Sequence, residues 1–222
     1  MKNALLAAAL LLTACGRPQT IPQENIQVQV TSTPATGKLF LAGKPLGDTP
    51  QTLTVASLDA LLELSATCPR EEVVEKRIQI LGKDRAEVTF VFGTSPTATG
   101  KALGLARVLV FDYGAGVTFE LNKAELQPDF KPLLDRQAAL LKSHFSGLDV
   151  YVCGHTDALG TQDFNLSLSL ARARCVASYL ETLGAPRDRF KVQGFGSAYP
   201  VAPNQTEIGR ARNRRTELVL PQ

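Results

Sequence analysis

The sequence predicts an α+β protein in which a small all-β sandwich precedes a two-layer α/β sandwich of order β-α-β-α-β-β. Residues 25–92 carry short apolar segments separated by proline, glycine or charged residues, which is typical of strands. Residues 93–106 are rich in glycine, threonine and alanine, which indicates a linker. Residues 107–222 contain two long segments of helical periodicity between short strand-like segments, which completes the α+β class.

The composition is that of a globular protein. Of 222 residues, 44% are hydrophobic and 20% are charged, so the chain can bury a core and is not expected to be disordered. A formal net charge of +3 is too small to indicate nucleic-acid binding by itself. No apolar stretch reaches about 18 residues, so no transmembrane helix is expected.

Residues 1–14 are predicted to be a lipoprotein signal peptide. A positive start at Lys2 precedes nine apolar residues, 4–12, which are too few to span a bilayer. The sequence L-T-A-C that ends at Cys15 resembles the bacterial lipobox, and the resemblance implies that the Cys15 thiol carries lipid. An ordinary secretory signal with a chance cysteine is the alternative. Several acyl chains would make the attachment effectively stable.

Residue Gly16 bears on the destination of such a lipoprotein. Glycine here, in place of aspartate, resembles lipoproteins that double-membraned bacteria sort to the outer membrane. Residues 15–24 are polar and contain proline, which predicts a tether that reaches at most ~30 Å. The chain is therefore expected in the outer membrane, lipid-anchored and facing the periplasm.

The N-terminal half shows strand patterns in series. Apolar and polar residues alternate over residues 26–30, and residues 38–41 precede a hairpin-like turn. Further strands are predicted over residues 61–67, 73–80 and 86–92. The run L-A-G-K-P-L-G-D-T-P from Leu41 to Pro50 resembles the D-G-K-x-x-G-x-T-P core of PEGA domains, and the resemblance covers residues 25–92. It implies a small β fold, which is expected to act as a spacer or interaction module rather than as a ligand site.

The C-terminal half alternates strands and helices. Helical spacing predicts helices over residues 130–145 and 166–183, and Gly184 followed by Pro186 ends the second. The predicted strands cover residues 117–121, 149–153, 190–192 and 216–220.

Several spaced motifs in this half resemble the OmpA-like domain shared by OmpA, the Pal lipoproteins and MotB. Residues 154–173 match G-H-T-D-x-x-G-x-x-x-x-N-x-x-L-S-x-x-R-A, residues 194–215 match G-x-G…P…N…G-R-x-x-N-R-R, and residues 119–123 fit F-x-x-N-K. The resemblance covers about residues 107–221. It implies a domain that binds peptidoglycan noncovalently.

Two residues form the predicted binding site. Asp157 follows a strand, and Arg172 lies in the next helix with a side chain long enough to reach back. An acid and a guanidinium suit the ammonium and carboxylate of a zwitterion. The resemblance implies that Asp157 and Arg172 bind the free end of diaminopimelate in the stem peptide, with Asn122 as a further polar residue. The alternative is that Asp157 and Arg172 simply pair with each other.

Residues near this pair are given structural roles. Thr156, His155 and Asn165 are expected to order the loop. The cluster of Arg210, Arg212, Arg214 and Arg215 is expected to combine structural ion pairs with attraction to acidic wall peptides, and not to bind nucleic acid.

The sequence favours binding over catalysis. It contains no G-x-S-x-G, HExxH, CxxC or phosphate-loop motif, so no enzyme activity, catalytic residue, metal or cofactor is expected. A bridge between Cys153 and Cys175 and buried free thiols remain equal alternatives.

The predicted function is tethering of the outer membrane to the cell wall, with peptidoglycan as the partner of the C-terminal domain. One alternative is a subunit of a Tol-type or secretion complex of the envelope that recruits proteins through residues 25–92. A cell-wall hydrolase is a second, less favoured alternative.

Overall fold

The structure is a computed structural model that describes residues 25–34, 36–114, 119 and 123–222. The predicted signal peptide and tether, residues 1–24, lie outside the described residues. Within the described ranges no helix combines the length and the apolar character that a membrane crossing requires.

The described residues form eleven strands and five α-helices. The strands are β1 Ile26–Thr33, β2 Lys38–Leu41, β3 Lys44–Asp48, β4 Gln51–Val55, β5 Leu64–Thr67, β6 Glu72–Ile80, β7 Arg85–Gly93, β8 Val108–Gly114, β9 Val150–His155, β10 Phe190–Gly194 and β11 Arg215–Pro221. The helices are α1 Leu58–Leu62, α2 Ala98–Ala102, α3 Lys131–His144, α4 Gln162–Thr182 and α5 Glu207–Asn213. Single 3₁₀ turns cover Pro128–Phe130 and Arg187–Arg189.

One eight-stranded sheet runs through both halves of the chain. Its strand order is β10-β9-β11-β8-β6-β7-β1-β4, and a second sheet contains β3-β2-β5. The halves meet where β6 pairs in parallel with β8, from Glu75 opposite Val108 to Ile80 opposite Tyr113. Two sandwiches separated by a linker were predicted, whereas backbone hydrogen bonds join the two halves edge to edge.

The predicted linker, residues 93–106, differs in the structure. It contains α2, and it crosses the face of the sheet opposite α3 and α4. There Leu103 and Leu105 pack on a small cluster of buried residues, namely Val108, Val110, Cys153 and Val219. Glycine and threonine content indicated a linker, but Leu103 and Leu105 pack on the sheet, the Thr97 amide donates to Glu75 at 2.8 Å, and the buried Thr99 contacts His155 at 3.4 Å.

A continuous apolar core lies on the other face of the sheet. In the N-terminal half, β1 and β7 contribute alternate residues, such as Val28, Val30 and Val88, which are fully buried. In the C-terminal half, Leu134 of α3 and Leu180 of α4 cover β8, β9 and β11. Because these residues belong to a single cluster, the two halves also share their core.

The N-terminal half is more than an all-β sandwich. The segment 61–67, predicted as one strand, instead begins inside α1 and continues as β5. Ser57 caps α1 by accepting a hydrogen bond from the Ala60 amide, and Leu58 and Leu61 bury its apolar side.

The C-terminal half has one strand displaced and one helix added. The first strand was predicted at residues 117–121, of which only Phe119 is described, and the structure places β8 nine residues earlier, at Val108–Gly114. The helix α5 lies between the last two strands, so the order is β-α-β-α-β-α-β rather than β-α-β-α-β-β. Thr206 caps α5 by accepting from the Gly209 amide.

The three described cysteines, Cys68, Cys153 and Cys175, are free thiols. Cys153 lies in the cluster on the α2 face of the sheet, whereas Cys175 packs from α4 against the opposite face. The sheet therefore separates these two thiols, which explains why a strand-to-helix bridge does not form.

A buried ionic network crosses the joint between the halves. Arg77 of β6 donates to Asp112 of β8 at 2.8 Å and to Glu217 of β11 at 2.7 Å. Arg77 also pairs with Glu75 at 2.9 Å, and Arg215 pairs with Glu217 at 2.7 Å. Removing one partner from such a network leaves a buried charge without compensation, so the network opposes separation of the halves.

Candidate functional site

The predicted pair of site residues lines one cleft. The cleft has a volume of about 410 Å³ and lies between the loop that leaves β9, the first turns of α4, and α5. Its lining residues are Thr156, Asp157, Leu159, Gly160, Phe164, Asn165, Leu168, Arg172, Glu207 and Arg214.

Close contact between α4 and the sheet positions this cleft. A Cβ atom on Gly154 of β9 would stand 2.0 Å from the Ser169 carbonyl oxygen, and one on Gly194 of β10 would stand 2.6 Å from the Leu170 amide nitrogen. Only glycine allows the backbones to approach this closely. The glycines of the G-H-T-D and G-x-G motifs therefore set the depth at which α4 lies.

Asp157 is 7% exposed and is held at both carboxylate oxygens. Oδ1 accepts from the Leu159 amide at 3.0 Å, and Oδ2 accepts from Nη1 of Arg214 at 2.8 Å. Asp157 thus forms an ion pair with Arg214, a residue that was predicted to belong to the basic cluster. A carboxylate has about four lone-pair directions, so Asp157 can still accept hydrogen bonds from a ligand.

Arg172 lines the same cleft and is 2% exposed. Its Nε donates to the Lys123 carbonyl at 3.0 Å, and its guanidinium lies 5.2 Å from the centre of the Phe119 ring. Burial lowers the pKa of Arg172, the charge of Arg214 lowers it further, and the charge of Asp157 opposes both effects. A carboxylate ligand would relieve this crowding of positive charge.

Sequence reasoning missed Glu207 as a cleft residue. Its carboxylate pairs with Arg214 at 2.8 Å and with Arg210 at 2.8 Å, and these hydrogen bonds lower the pKa of Glu207. For Arg214, burial disfavours the charge, but hydrogen bonds to Asp157 and Glu207 outweigh it and raise the pKa. Glu207 directly follows Thr206, the N-cap of α5. This threonine–glutamate pair is typical of the start of a helix, and it was the sequence signal from which α5 and Glu207 could have been predicted.

The loops around the cleft are fixed by side-chain amides. Asn213 accepts from the Val201 and Ala202 amides at 2.8 and 2.9 Å and donates to Asn204 at 2.9 Å. Asn204 in turn accepts from the Ala158 amide at 3.1 Å, beside Asp157. The asparagines of the C-terminal motif thus connect α5 to the loop that carries the acid.

Thr156 and Asn165, expected to order the loop, both line the cleft. Asn165 donates to the Leu159 carbonyl at 2.9 Å, and Thr156 bonds to the Asp157 carbonyl at 2.9 Å. His155 lies apart from the cleft: Nε2 is 3.4 Å from Glu217, and the ring stacks on Phe195 with centroids 5.4 Å apart.

Two predicted residues lie outside the described residues, namely Asn122 and the lipidation site Cys15. Of the four arginines predicted as a basic cluster, Arg210, Arg214 and Arg215 engage in ion pairs, and Arg212 is exposed.

The cleft combines two acids with two bases. Asp157 and Glu207 face Arg172 and Arg214, so the four formal charges sum to zero while acid and base remain separate, an arrangement that suits a zwitterionic ligand. Leu159, 61% exposed, adds apolar surface to the rim. Within the described ranges, no group of three or more His, Cys, Asp or Glu side chains is placed to hold a metal ion.

Comparison with known proteins identifies the segment that carries this cleft. The OmpA family model matches residues 118–214. YiaD of Escherichia coli is 39% identical over 112 residues, which cover 50% of this chain and 51% of YiaD. The peptidoglycan-binding protein ArfA of Mycobacterium tuberculosis is 36% identical over 134 residues, which cover 60% of this chain and 41% of ArfA. The chain thus spans about half the length of these two relatives.

A third relative is matched over most of its length. YfiB of Escherichia coli is 35% identical over 131 residues, which cover 58% of this chain and 76% of YfiB. Because this match extends over more than two thirds of YfiB, and because the family model matches the segment that forms the cleft, the chain belongs to the OmpA family.

Proposed function

We propose that the chain binds peptidoglycan noncovalently through the cleft of Asp157 and Arg172. The observation that carries the proposal is the placement of this acid and this base in one cleft of about 410 Å³. The relative ArfA is named a peptidoglycan-binding protein, which supports the same conclusion. The ligand is the free, zwitterionic end of a diaminopimelate-type residue in the stem peptide.

The charged ends of such a ligand match the two sides of the cleft. The ligand ammonium donates to Asp157, whose carboxylate is already aligned by Leu159 and Arg214. The ligand carboxylate accepts from Arg172, whose guanidinium is oriented by the Lys123 carbonyl. Charge-assisted hydrogen bonds are roughly twice as strong as neutral ones, so both ends contribute to affinity and fix the orientation.

The aliphatic part of the ligand matches the apolar wall of the cleft. Leu159, Phe164 and Leu168 line it between the charged groups, and Phe164 is 48% exposed. The methylene chain between the two ends of diaminopimelate would pack there and gain about 0.8 kcal/mol for each methylene that it buries. Single-site affinity stays modest, and many copies on one membrane compensate through effective concentration.

Anchoring in the outer membrane is the second part of the proposal. Cys15 carries the lipid, and the chain holds the membrane to the wall. YiaD and YfiB are named as lipoproteins, which supports a lipid anchor. Substituting Cys15→Ser should abolish labelling by radioactive palmitate and release the protein from the outer-membrane fraction. Retention of label by the variant would contradict the assignment.

Co-sedimentation with purified sacculi tests the cleft. Asp157→Asn and Arg172→Gln should each lower the bound fraction at least tenfold, because each removes one charged partner of the ligand. Arg174→Gln is the matched control, since Arg174 lies on the same helix but is exposed and outside the cleft. Circular dichroism verifies that the variants fold, and wild-type binding by both cleft variants would refute the proposal.

Two further arms of the same experiment define the ligand and the chemistry. Sacculi with lysine in place of diaminopimelate lack the second carboxylate, so they should bind more weakly and show a smaller effect of Arg172→Gln. Binding without catalysis is part of the proposal. Incubation with labelled sacculi should therefore release no soluble fragments, and time-dependent release would contradict it.

A further inference from the structure

A second crevice lies at the joint between the two halves, on the face of the sheet opposite α3 and α4. Its volume is about 390 Å³, within the range of small-ligand sites. The strands β6, β7 and β8 form its base, and α5 contributes Arg212. Its lining residues are Thr33, Arg77, Gln79, Glu87, Thr89, Val91, Thr97, Ala98, Asp112, Pro200, Val201 and Arg212.

Three polar side chains form a row across the base of this crevice. Glu87 of β7 is opposite Gln79 of β6, which is opposite Asp112 of β8. Residues in register on neighbouring strands point to the same face, so the three side chains lie next to one another. The row crosses from the N-terminal half into the C-terminal half, and the crevice exists only because the sheet is continuous.

The row has unused hydrogen-bonding capacity. Asp112 is 2% exposed, and its Oδ1 accepts no hydrogen bond from the part of the chain that the structure describes. Among those residues, Glu87 and Gln79 likewise have no side-chain partner, and Arg212 forms no ion pair. Of these residues only Asp112 is buried, whereas Glu87 and Gln79 are half-buried and Arg212 is exposed. Buried polar groups are nearly always satisfied, and an unsatisfied one costs about 1–3 kcal/mol, so the unpaired Oδ1 of Asp112 at the base of the crevice points to a ligand that donates a hydrogen bond there.

The chemistry of the lining selects the class of ligand. The lining carries both signs of charge, on the acids Glu87 and Asp112 and on Arg212, and Arg77 is already shared among Asp112, Glu75 and Glu217. The crevice therefore does not select a ligand of one strong charge. It offers acceptors on the acids, donors on the arginines, and both on Gln79. A hydroxyl group also donates and accepts, and a ligand with several hydroxyls can satisfy every member of the row.

We propose that this crevice binds a carbohydrate, and that the carbohydrate is the glycan strand of the cell wall. The identification of this carbohydrate as the wall glycan rests on the proposed function. The short helix α5 separates the crevice from the cleft, with Arg212 on one side and Glu207 and Arg214 on the other. At seven residues α5 is about 10 Å long. Glycan and stem peptide are covalently joined, so simultaneous binding raises the affinity of each through effective concentration.

The test uses peptide-free glycan strands, which an amidase releases from sacculi, and the purified full-length chain in equilibrium dialysis. Wild type and Asp157→Asn should bind these strands equally. The double variant Glu87→Ala/Arg212→Ala should bind at least tenfold more weakly while remaining able to bind free diaminopimelate. Gln29→Ala is the matched control, because Gln29 is exposed on the same face, in register with Glu87, but outside the crevice.

The outcomes separate this inference from the proposed function. If the protein binds sacculi but does not bind peptide-free glycan strands, the second site is overturned and the proposal for the cleft stands. Glycan binding that depends on Asp157 and not on Glu87 and Arg212 would place the sugar in the cleft and also overturn it. Equal binding of an unrelated cello-oligosaccharide would overturn the assignment to wall glycan.

Discussion

A half-buried lysine should make the stability of this protein depend on alkaline pH. Lys76 of β6 donates to the Leu62 carbonyl at 2.8 Å and to the Leu64 carbonyl at 2.6 Å, and its Nζ lies 5.7 Å from the centre of the Phe90 ring. It pairs with no carboxylate among the described residues. Burial therefore lowers the pKa of Lys76 from 10.5 to about 7.

The sign and size of the effect follow from this pKa. Below pH 7 both states hold the proton, and the folded state bears the full cost of burying the charge. Between pH 7 and about 10 the folded state loses the proton while the unfolded chain keeps it, so the free energy of unfolding rises. The rise is at most about 1.4 kcal/mol for each pH unit. Lys76→Met keeps the apolar stem, removes the charge, and abolishes this rise.

Urea unfolding of wild type and Lys76→Met from pH 6 to pH 9.5 measures the difference. The variant should be the more stable at pH 6, and its advantage should shrink by about 1.4 kcal/mol per pH unit above pH 7. Burial also raises the pKa of Cys153 and Cys175, but both chains contain these thiols and their contributions cancel. Lys38→Met, at an exposed strand position, is the control. A difference that stays constant with pH would refute the reasoning.

Three further changes test the joint and the cleft. Arg77→Met leaves three buried carboxylates without their shared cation, so the free energy of unfolding should fall by about 3–5 kcal/mol at neutral pH and by less near pH 4; a loss under about 1 kcal/mol in urea would contradict this. Burial lowers the pKa of His155, so below about 6.5 the unfolded chain binds a proton that the folded chain excludes. Wild type should therefore lose more stability than His155→Gln between pH 7 and pH 5, and parallel curves of thermal midpoint against pH would argue otherwise. Gly154→Ala would place a Cβ 2.0 Å from the Ser169 carbonyl oxygen and should cost about 1–3 kcal/mol and weaken sacculus binding; unchanged melting would show that α4 can shift freely.

Much of the C-terminal half follows from sequence, because its signals are local. The stop of α4 at Gly184 and the strand before His155 depend on residues a few positions apart, and Asp157 and Arg172 belong to one strand-loop-helix unit. The structure puts this acid and this base in one cleft. The partner of Asp157 was not predictable in the same way, since Arg214 is 57 positions away and approaches through α5, a helix too short to show periodicity.

The joint between the halves could not be predicted from the sequence. Pairing of β6 with β8 joins two strands on either side of a segment whose composition indicated a linker. Arg77 and Glu217 contact each other although they are 140 positions apart. Considered alone, each would be predicted to be an exposed polar residue of a strand. Long-range pairing of this kind leaves no periodic signal, so the second crevice was also invisible to sequence reasoning.

Mechanical load on this protein has a defined path. A force applied between the N-terminal end of β1 and the cleft is carried by the hydrogen bonds between neighbouring strands. It passes in turn through β7, β6, β8, β11 and β9. With no slack hinge between the halves, extension must come from outside the sheet or from rupture of interstrand hydrogen bonds. In the proposed anchor, such a sheet would transmit tension between membrane and wall at nearly fixed length, and it would yield abruptly rather than gradually when the load exceeds what the hydrogen bonds between two strands resist.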